Sequence, residues 1–241
     1  MWVSMISWMA MASLLGQTPV PPGAQWERVL GERMAQDLDT RDGRIDDAAA
    51  SEFLHRIEAR LAAEQRFDIR LTRGLEPYAR LLPNRVLYIS GKLLERVKTE
   101  AELAGLIAHQ LAHAQQADAF PRVFLGACVL SSPFAPTRWA EGMRDRERQA
   151  IGEAVVSSRK AGYDPSSLLD LLSRLAYENP AWNRGFVAED LLVVRGTLEQ
   201  ETAPEAGYQI SSSEFSRVQD RLAATLGRPA SGVPSLVKRP R

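Results

Sequence analysis

Two of the chain's three histidines, His109 and His113, lie four residues apart in LAGLIAHQLAHAQQ, Leu103 to Gln116. On a helix, residues four apart share a face, so both imidazoles would project toward one point. That is the spacing of the H-E-x-x-H zinc motif, in which the histidines hold the metal and the glutamate takes a proton from attacking water. Here the second position is Gln110, and a neutral amide cannot accept that proton. Three readings stand side by side: a working zinc site, the remains of one, or an ordinary helix with two histidines.

A catalytic zinc needs about three protein ligands and one open position. His55, between Leu54 and Ile57, is one candidate for the third ligand; it reads as a partly buried helix residue. Glu147, in RDRERQA, is the other, although a dense charge run is by default a solvated helix face. Asp118 and Glu153 read as surface charges. Cys128 is the sole cysteine, which excludes an internal disulfide framework and a Cys-rich zinc site. Its apolar setting, Val123 to Leu130, marks a buried thiol rather than a nucleophile.

These residues need elements to position them. Thr99-Glu100-Ala101-Glu102 reads as a capping box that opens the histidine helix. Leu103, Leu106, Ile107 and Leu111 give that helix a core-facing stripe, with the histidines flanking it. Upstream, the pattern predicts a helix over Trp26–Asp39, a turn at Thr40–Arg44, and a helix capped by Asp46 or Asp47 with Phe53, Leu54, Ile57 and Leu61 inward. FDIRLTR (Phe67–Arg73) and RVLYIS (Arg85–Ser90) alternate as strands, with LLPN turning between them and Asn84 suited to a positive φ. A short helix, Lys92–Val97, leads into the histidine helix. Downstream, a helix over Trp139–Lys160 ends at Gly162, and Asp164-Pro165 restarts another. Beyond Asn179 the pattern weakens, apart from an amphipathic stretch over Ser213–Leu226. The fold class is α+β, mostly helical, with a small sheet beside the metal helix.

Length and composition are those of an ordinary globular chain: 241 residues, 45% hydrophobic and 25% charged. Lys+Arg and Asp+Glu both total 30, so no net field draws the chain to nucleic acid or anionic lipid. MWVSMISWMAMASLL carries no charge, the first charged side chain being Glu27, and GQTPVPPG follows. The run resembles a secretory signal segment and is short for a membrane span. A buried N-terminal helix is the alternative. Gly16 and Gln17 stand where lipid anchoring would need a cysteine. The expected organisation is a signal-like segment and linker over 1–23, a main domain over 24–178 and a C-terminal extension over 179–241. Export to the periplasm or cell envelope follows, with membrane contact only through an uncleaved N-terminus.

From about Val29 to Leu175 the chain resembles the zinc metallopeptidases of the HtpX and CAAX-prenyl-protease type, peptidase family M48. RVLYISGKLL is similar to the family's edge strand and turn. TEAELAGLIAHQLAHAQQ is similar to its metal helix, and ERQAIGEAVVSSRKAGYDP to its E-x-x-x-D helix with the same Ala-Gly-Tyr-Asp-Pro close. The resemblance implies a zincin-like fold, zinc on His109, His113 and Glu147, and substrate pairing along Val86, Leu87, Tyr88 and Ile89. It also implies an extended or unfolded polypeptide as partner.

The departures bear on chemistry. Gln110 replaces the general base, a loss of roughly 10²–10⁴-fold in rate. No histidine follows His113, so the family's downstream oxyanion-holding histidine is missing, a further 10²–10³-fold or so. NRGFVAEDLL stands in that region. Ile151 replaces the aspartate that supports a metal histidine, which typically costs about 10–100-fold in metal affinity. Pro83-Asn84-Arg85 replaces the family's Pro-Gly-Gly turn. The resulting expectation is a pseudo-peptidase that keeps the groove and binds polypeptide; the alternatives are a working zinc endopeptidase in which Gln110 only positions water, and a metal-free helical protein.

Overall fold

Apolar spacing and turn chemistry build the scaffold. The computed structural model describes residues 24–61, 66–115, 137–178, 188–199 and 207–227. The N-terminal apolar run, Asp118 and Cys128 lie outside the described residues.

The chain enters through α1 (Ala24–Asp42), which continues through Thr40–Asp42 where a turn was expected. Gly43, at φ +68°, ends it and hands the chain to the short strand β1 (Arg44–Ile45). Asp47 caps α2 (Ala48–Arg60), its carboxylate accepting from the Ala50 N–H at 3.0 Å. Strands β2 (Asp68–Thr72), β3 (Ala79–Leu81) and β4 (Val86–Ser90) follow. The helix α3 (Gly91–Leu94) leads to α4 (Glu100–Gln115), then come α5 (Thr137–Lys160), α6 (Ser166–Glu178), α7 (Ala188–Glu199) and α8 (Ser213–Thr225).

The sheet differs from the expected hairpin. Its order is β1-β2-β4-β3. β2 and β4 run parallel, with Ile69 opposite Leu87 and Leu71 opposite Ile89. The LLPN turn joins β4 to β3, a strand too short to stand out in the sequence; the two are antiparallel, with Arg80 opposite Tyr88. Leu82 N–H donates to Val86 O at 2.8 Å and Arg85 N–H to Leu82 O at 3.0 Å to close the turn. Its positive φ, +62°, falls on Arg85 rather than Asn84.

RVLYIS is therefore no edge strand. Paired on both sides, Val86, Leu87, Tyr88 and Ile89 are all buried. Alternation sends Val86 and Tyr88 toward Ala35 and Leu38 of α1, and Leu87 and Ile89 into the main core. A strand covered on both faces reads as a continuous apolar run, which the sequence does show.

The main core unites both ends of the described chain. Phe53, Ile57, Leu71 and Ile89 pack in it with Leu106 and Ile107. The segment 179–241, expected as an appended extension, contributes Leu191, Val194, Phe215, Val218 and Leu222 to this same core. α7, which the weakened pattern concealed, and α8 are thus parts of the domain's packing. Gly105 lets α4 and α6 approach: a Cβ there would come 2.7 Å from the Leu168 Cβ. No described helix is long and apolar enough to cross a membrane.

Candidate metal centre

The histidine helix is fixed first at its N-terminus. Thr99 Oγ1 accepts from the Glu102 N–H at 3.1 Å, while the Glu102 carboxylate accepts from the Lys98 N–H at 2.7 Å and from Arg174 at 2.7 Å. The reciprocal bond of the expected capping box thus falls one residue earlier. Glu100 Oε1 accepts from Tyr163 Oη at 3.0 Å and Gln209 Nε2 at 2.7 Å. Arg60 donates to both of those partners and lies over the Tyr163 ring, 4.2 Å from its centroid. Burial, with the Glu100 carboxylate beside it, pushes the Tyr163 hydroxyl pKa up. This network ties the start of α4 to the turn that ends α5, the two helices that carry the candidate ligands.

α4 and α5 pack closely because α5 presents Ala150, Ile151 and Ala154, each fully buried, to its neighbours. Glu147 lies one turn before Ile151 and reaches both histidines. His109 Nε2 is 3.0 Å from Glu147 Oε1, and His113 Nε2 is 3.1 Å from Glu147 Oε2. The imidazole centroids are 4.6 Å apart with the rings inclined by 63°. His109 is buried, whereas the His113 side chain is 28% exposed, so the site opens toward His113.

His109, expected beside the core-facing stripe, is in fact 5% exposed, since α4 is covered on nearly every side. His55, the other candidate ligand, is elsewhere: its side chain is 46% exposed, and Nδ1 contacts Glu58 Oε2 at 3.0 Å. It is not the partly buried residue expected. Glu153 accepts from Gln149 at 2.8 Å on α5. Gln110 is half-buried, one position after His109 and three before His113.

The electrostatics favour a charged carboxylate between the rings. Burial pushes the Glu147 pKa up, but the two imidazoles outweigh it and hold the carboxyl well below its ordinary range. Around Glu147, Arg144 donates from Nε and Nη2 to Asp190 at 2.9 and 3.3 Å, and Arg148 Nη1 lies 3.7 Å from the same carboxylate. Asp190 is buried, so it pins α7 to α5 around the ligand position. Sequence reading missed this residue. Its partners, Arg144 and Arg148, are spaced i, i+4 on α5, but nothing in the sequence sets them opposite Asp190.

The donor set fits a divalent metal of the zinc type. One nitrogen from each histidine and one Glu147 oxygen lie within 4.8 Å of one another. Tetrahedral ligands about 2.0–2.1 Å from zinc stand roughly 3.3 Å apart, and each imidazole nitrogen lies near that distance from a different Glu147 oxygen. The buried His109 Nε2 also has no hydrogen-bond partner among the described residues, because its 3.0 Å approach to Glu147 lacks hydrogen-bond geometry. An orphaned buried nitrogen is costly unless something else binds it. At the position where the resemblance would place a supporting aspartate stands Ile151, buried, whose side chain offers no hydrogen-bond acceptor.

The model of peptidase family M48 matches residues 47–174, just over half of the chain. No curated protein matches.

Proposed function

Because the chain belongs to peptidase family M48, we propose that it is an exported, catalytically impaired metalloendopeptidase relative that retains zinc and binds extended polypeptide without efficient cleavage. The observation that carries this reading is the pairing of an intact, converging His109–His113–Glu147 set with an amide at position 110.

Zinc, when bound, would supply Lewis acidity toward a peptide carbonyl. His109, His113 and Glu147 would hold it, and the rest of the chemistry falls to the chain's own groups. Gln110 can orient a water or a peptide group by hydrogen bonding but takes no proton from it. Asp190, in the segment that stands in place of the missing histidine's region, is engaged by Arg144, and its side chain offers no N–H. Loss of base and oxyanion donor removes most of the rate even without strict additivity.

The peptide-binding edge in this reading is β3, which ends the sheet among the described residues and packs beside α4. Arg80 pairs with Tyr88 inside the sheet, and the flanking bonds are Ser90 N–H to Tyr78 O and Leu82 N–H to Val86 O. By antiparallel alternation, the N–H and C=O groups of Ala79 and Leu81 face away from β4. They can pair with an added extended segment.

A slow but working peptidase is the second reading, favoured by the intact ligand triad. A labelled, permanently unfolded protein separates the two. The proposal expects a saturable rise in anisotropy while gels show the label intact, and weaker binding by Ala79→Pro, which deletes an outward donor and no sheet bond. Steady zinc-dependent fragmentation establishes the second reading; no binding by either chain defeats the proposal.

A further inference from the structure

The outer edge of the sheet carries a charge as well as outward backbone groups. Ala79 and Leu81 of β3 pack against the main core. Tyr78 and Leu82 belong to the second cluster, with Tyr88 of β4 and Leu38 of α1. Side chains alternate along a strand, so Arg80 lies on the same face as Tyr78 and Leu82. It is exposed there, and its guanidinium rests over the Tyr78 ring, 5.0 Å from the centroid.

Three carboxylates on this side of the sheet are already engaged. Asp42 is held by a fork from Arg41, with both N···O distances 2.8 Å, and by the Tyr78 hydroxyl. Asp39 accepts from the Tyr88 hydroxyl at 2.8 Å and lies 3.6 Å from Arg70. Arg70 also pairs with Asp68 at 2.7 Å. Among the described residues, Arg80 has an aromatic ring beside it but no carboxylate within ion-pair distance. Its charge is left to whatever lies alongside β3.

We propose that β3 selects extended polypeptide segments in which acidic and apolar residues alternate, the acidic side chain meeting Arg80. The selection rests on strand addition along this edge. The Arg80 backbone groups point to β4, so an added antiparallel segment meets Arg80 as a non-hydrogen-bonded pair, where facing side chains approach most closely. An opposite charge at that position strengthens the pairing, and a like charge weakens it. The neighbouring residues of the segment fall on the face of Ala79 and Leu81, where the sheet packs against α4 and is apolar.

Fluorescence anisotropy on the full chain, with labelled peptides Val-X-Val-X-Val-X-Val in which X is glutamate, glutamine or lysine, tests this. A slip of two residues still leaves an X opposite Arg80. The glutamate peptide should bind tightest and the lysine peptide weakest, with roughly two- to fivefold between successive members. The differences should narrow as salt rises. Arg80→Glu should reverse the order, and Arg80→Ala should bring the three within about twofold. Ala79→Pro should weaken all three, as loss of an outward donor at this edge requires. Equal binding of the three peptides, or an order that Arg80→Glu leaves unreversed at parent circular dichroism, overturns the charge selection while strand addition stands. No saturable binding by any of the three, or binding untouched by Ala79→Pro, overturns strand addition and the selection with it.

Discussion

Replacing Gln110 by glutamate changes an amide to a carboxylate at nearly constant size, one position after His109 and three before His113. The site is half-buried and open toward His113, so the new group meets solvent and imposes no packing cost. In the metal-free chain its charge is repelled by the neighbouring Glu147 carboxylate, which the imidazoles keep ionised. A bound divalent ion reverses that balance, so Gln110→Glu should also bind zinc at least as well as the parent. A positioned base contributes roughly 10²–10⁴-fold. The rate reached should still fall about 10²–10³-fold short of a complete site, because no histidine follows His113 to serve as the oxyanion donor. The assay is cleavage of a labelled unfolded protein by zinc-loaded chains, with and without chelator. A rise of at least tenfold, abolished by chelator, is expected. No rise in a chain that holds zinc and binds the labelled protein would refute the reasoning, because the groove would then not place peptides for attack.

Other perturbations probe the surroundings of the site. Ile151→Asp puts a carboxylate in a fully buried position and should cost the metal-free fold about 3–5 kcal/mol by denaturant unfolding; competitive zinc titration should show roughly 10–100-fold tighter binding, and an unchanged affinity would dismiss Ile151 as the weak point. Tyr78, whose hydroxyl bonds Thr72 at 2.7 Å and donates to Asp42, is pushed up to about 12 by burial and the Asp42 hydrogen bond. Because the folded pKa is raised, its contribution is whole below about pH 10 and lost as pH rises through 12; melting curves of Tyr78→Phe should fall less steeply there than the parent's, and equal slopes would contradict this. A chain ending at Glu178 should lose cooperative unfolding, since it discards the core residues of α7 and α8; a sharp calorimetric transition in the truncated chain would show that the extension is dispensable.

The convergence of His109, His113 and Glu147 was legible in the sequence because helices make it so. His109 and His113 are locked at one-turn spacing by helix geometry, and Glu147 followed from the order of motifs that the resemblance aligns. The sheet was less legible for a physical reason. β3 is three residues long and too short to show periodicity, so the LLPN turn was assigned to the wrong pair of strands and β4 was expected at an edge. A five-residue strand with every residue buried gives no alternation from which a free side could be read. Asn84 was favoured for the left-handed position on intrinsic preference, but closure of the turn through Leu82 places it at Arg85. Asp190 escaped because a buried acid paired with two distant arginines leaves no local pattern. α8 was visible as an amphipathic stretch, yet amphipathicity alone does not name the surface that its apolar face covers.

The account rests on a metal held by two histidines and one glutamate around a pocket without a base. The most direct measurement is elemental analysis of the intact chain, purified without chelator, beside His109→Ala and Glu147→Ala. One zinc per chain is expected in the parent, with loss from both variants at unchanged circular dichroism. A metal-free parent that takes up no zinc on titration, or stoichiometric zinc retained in both variants, would contradict it.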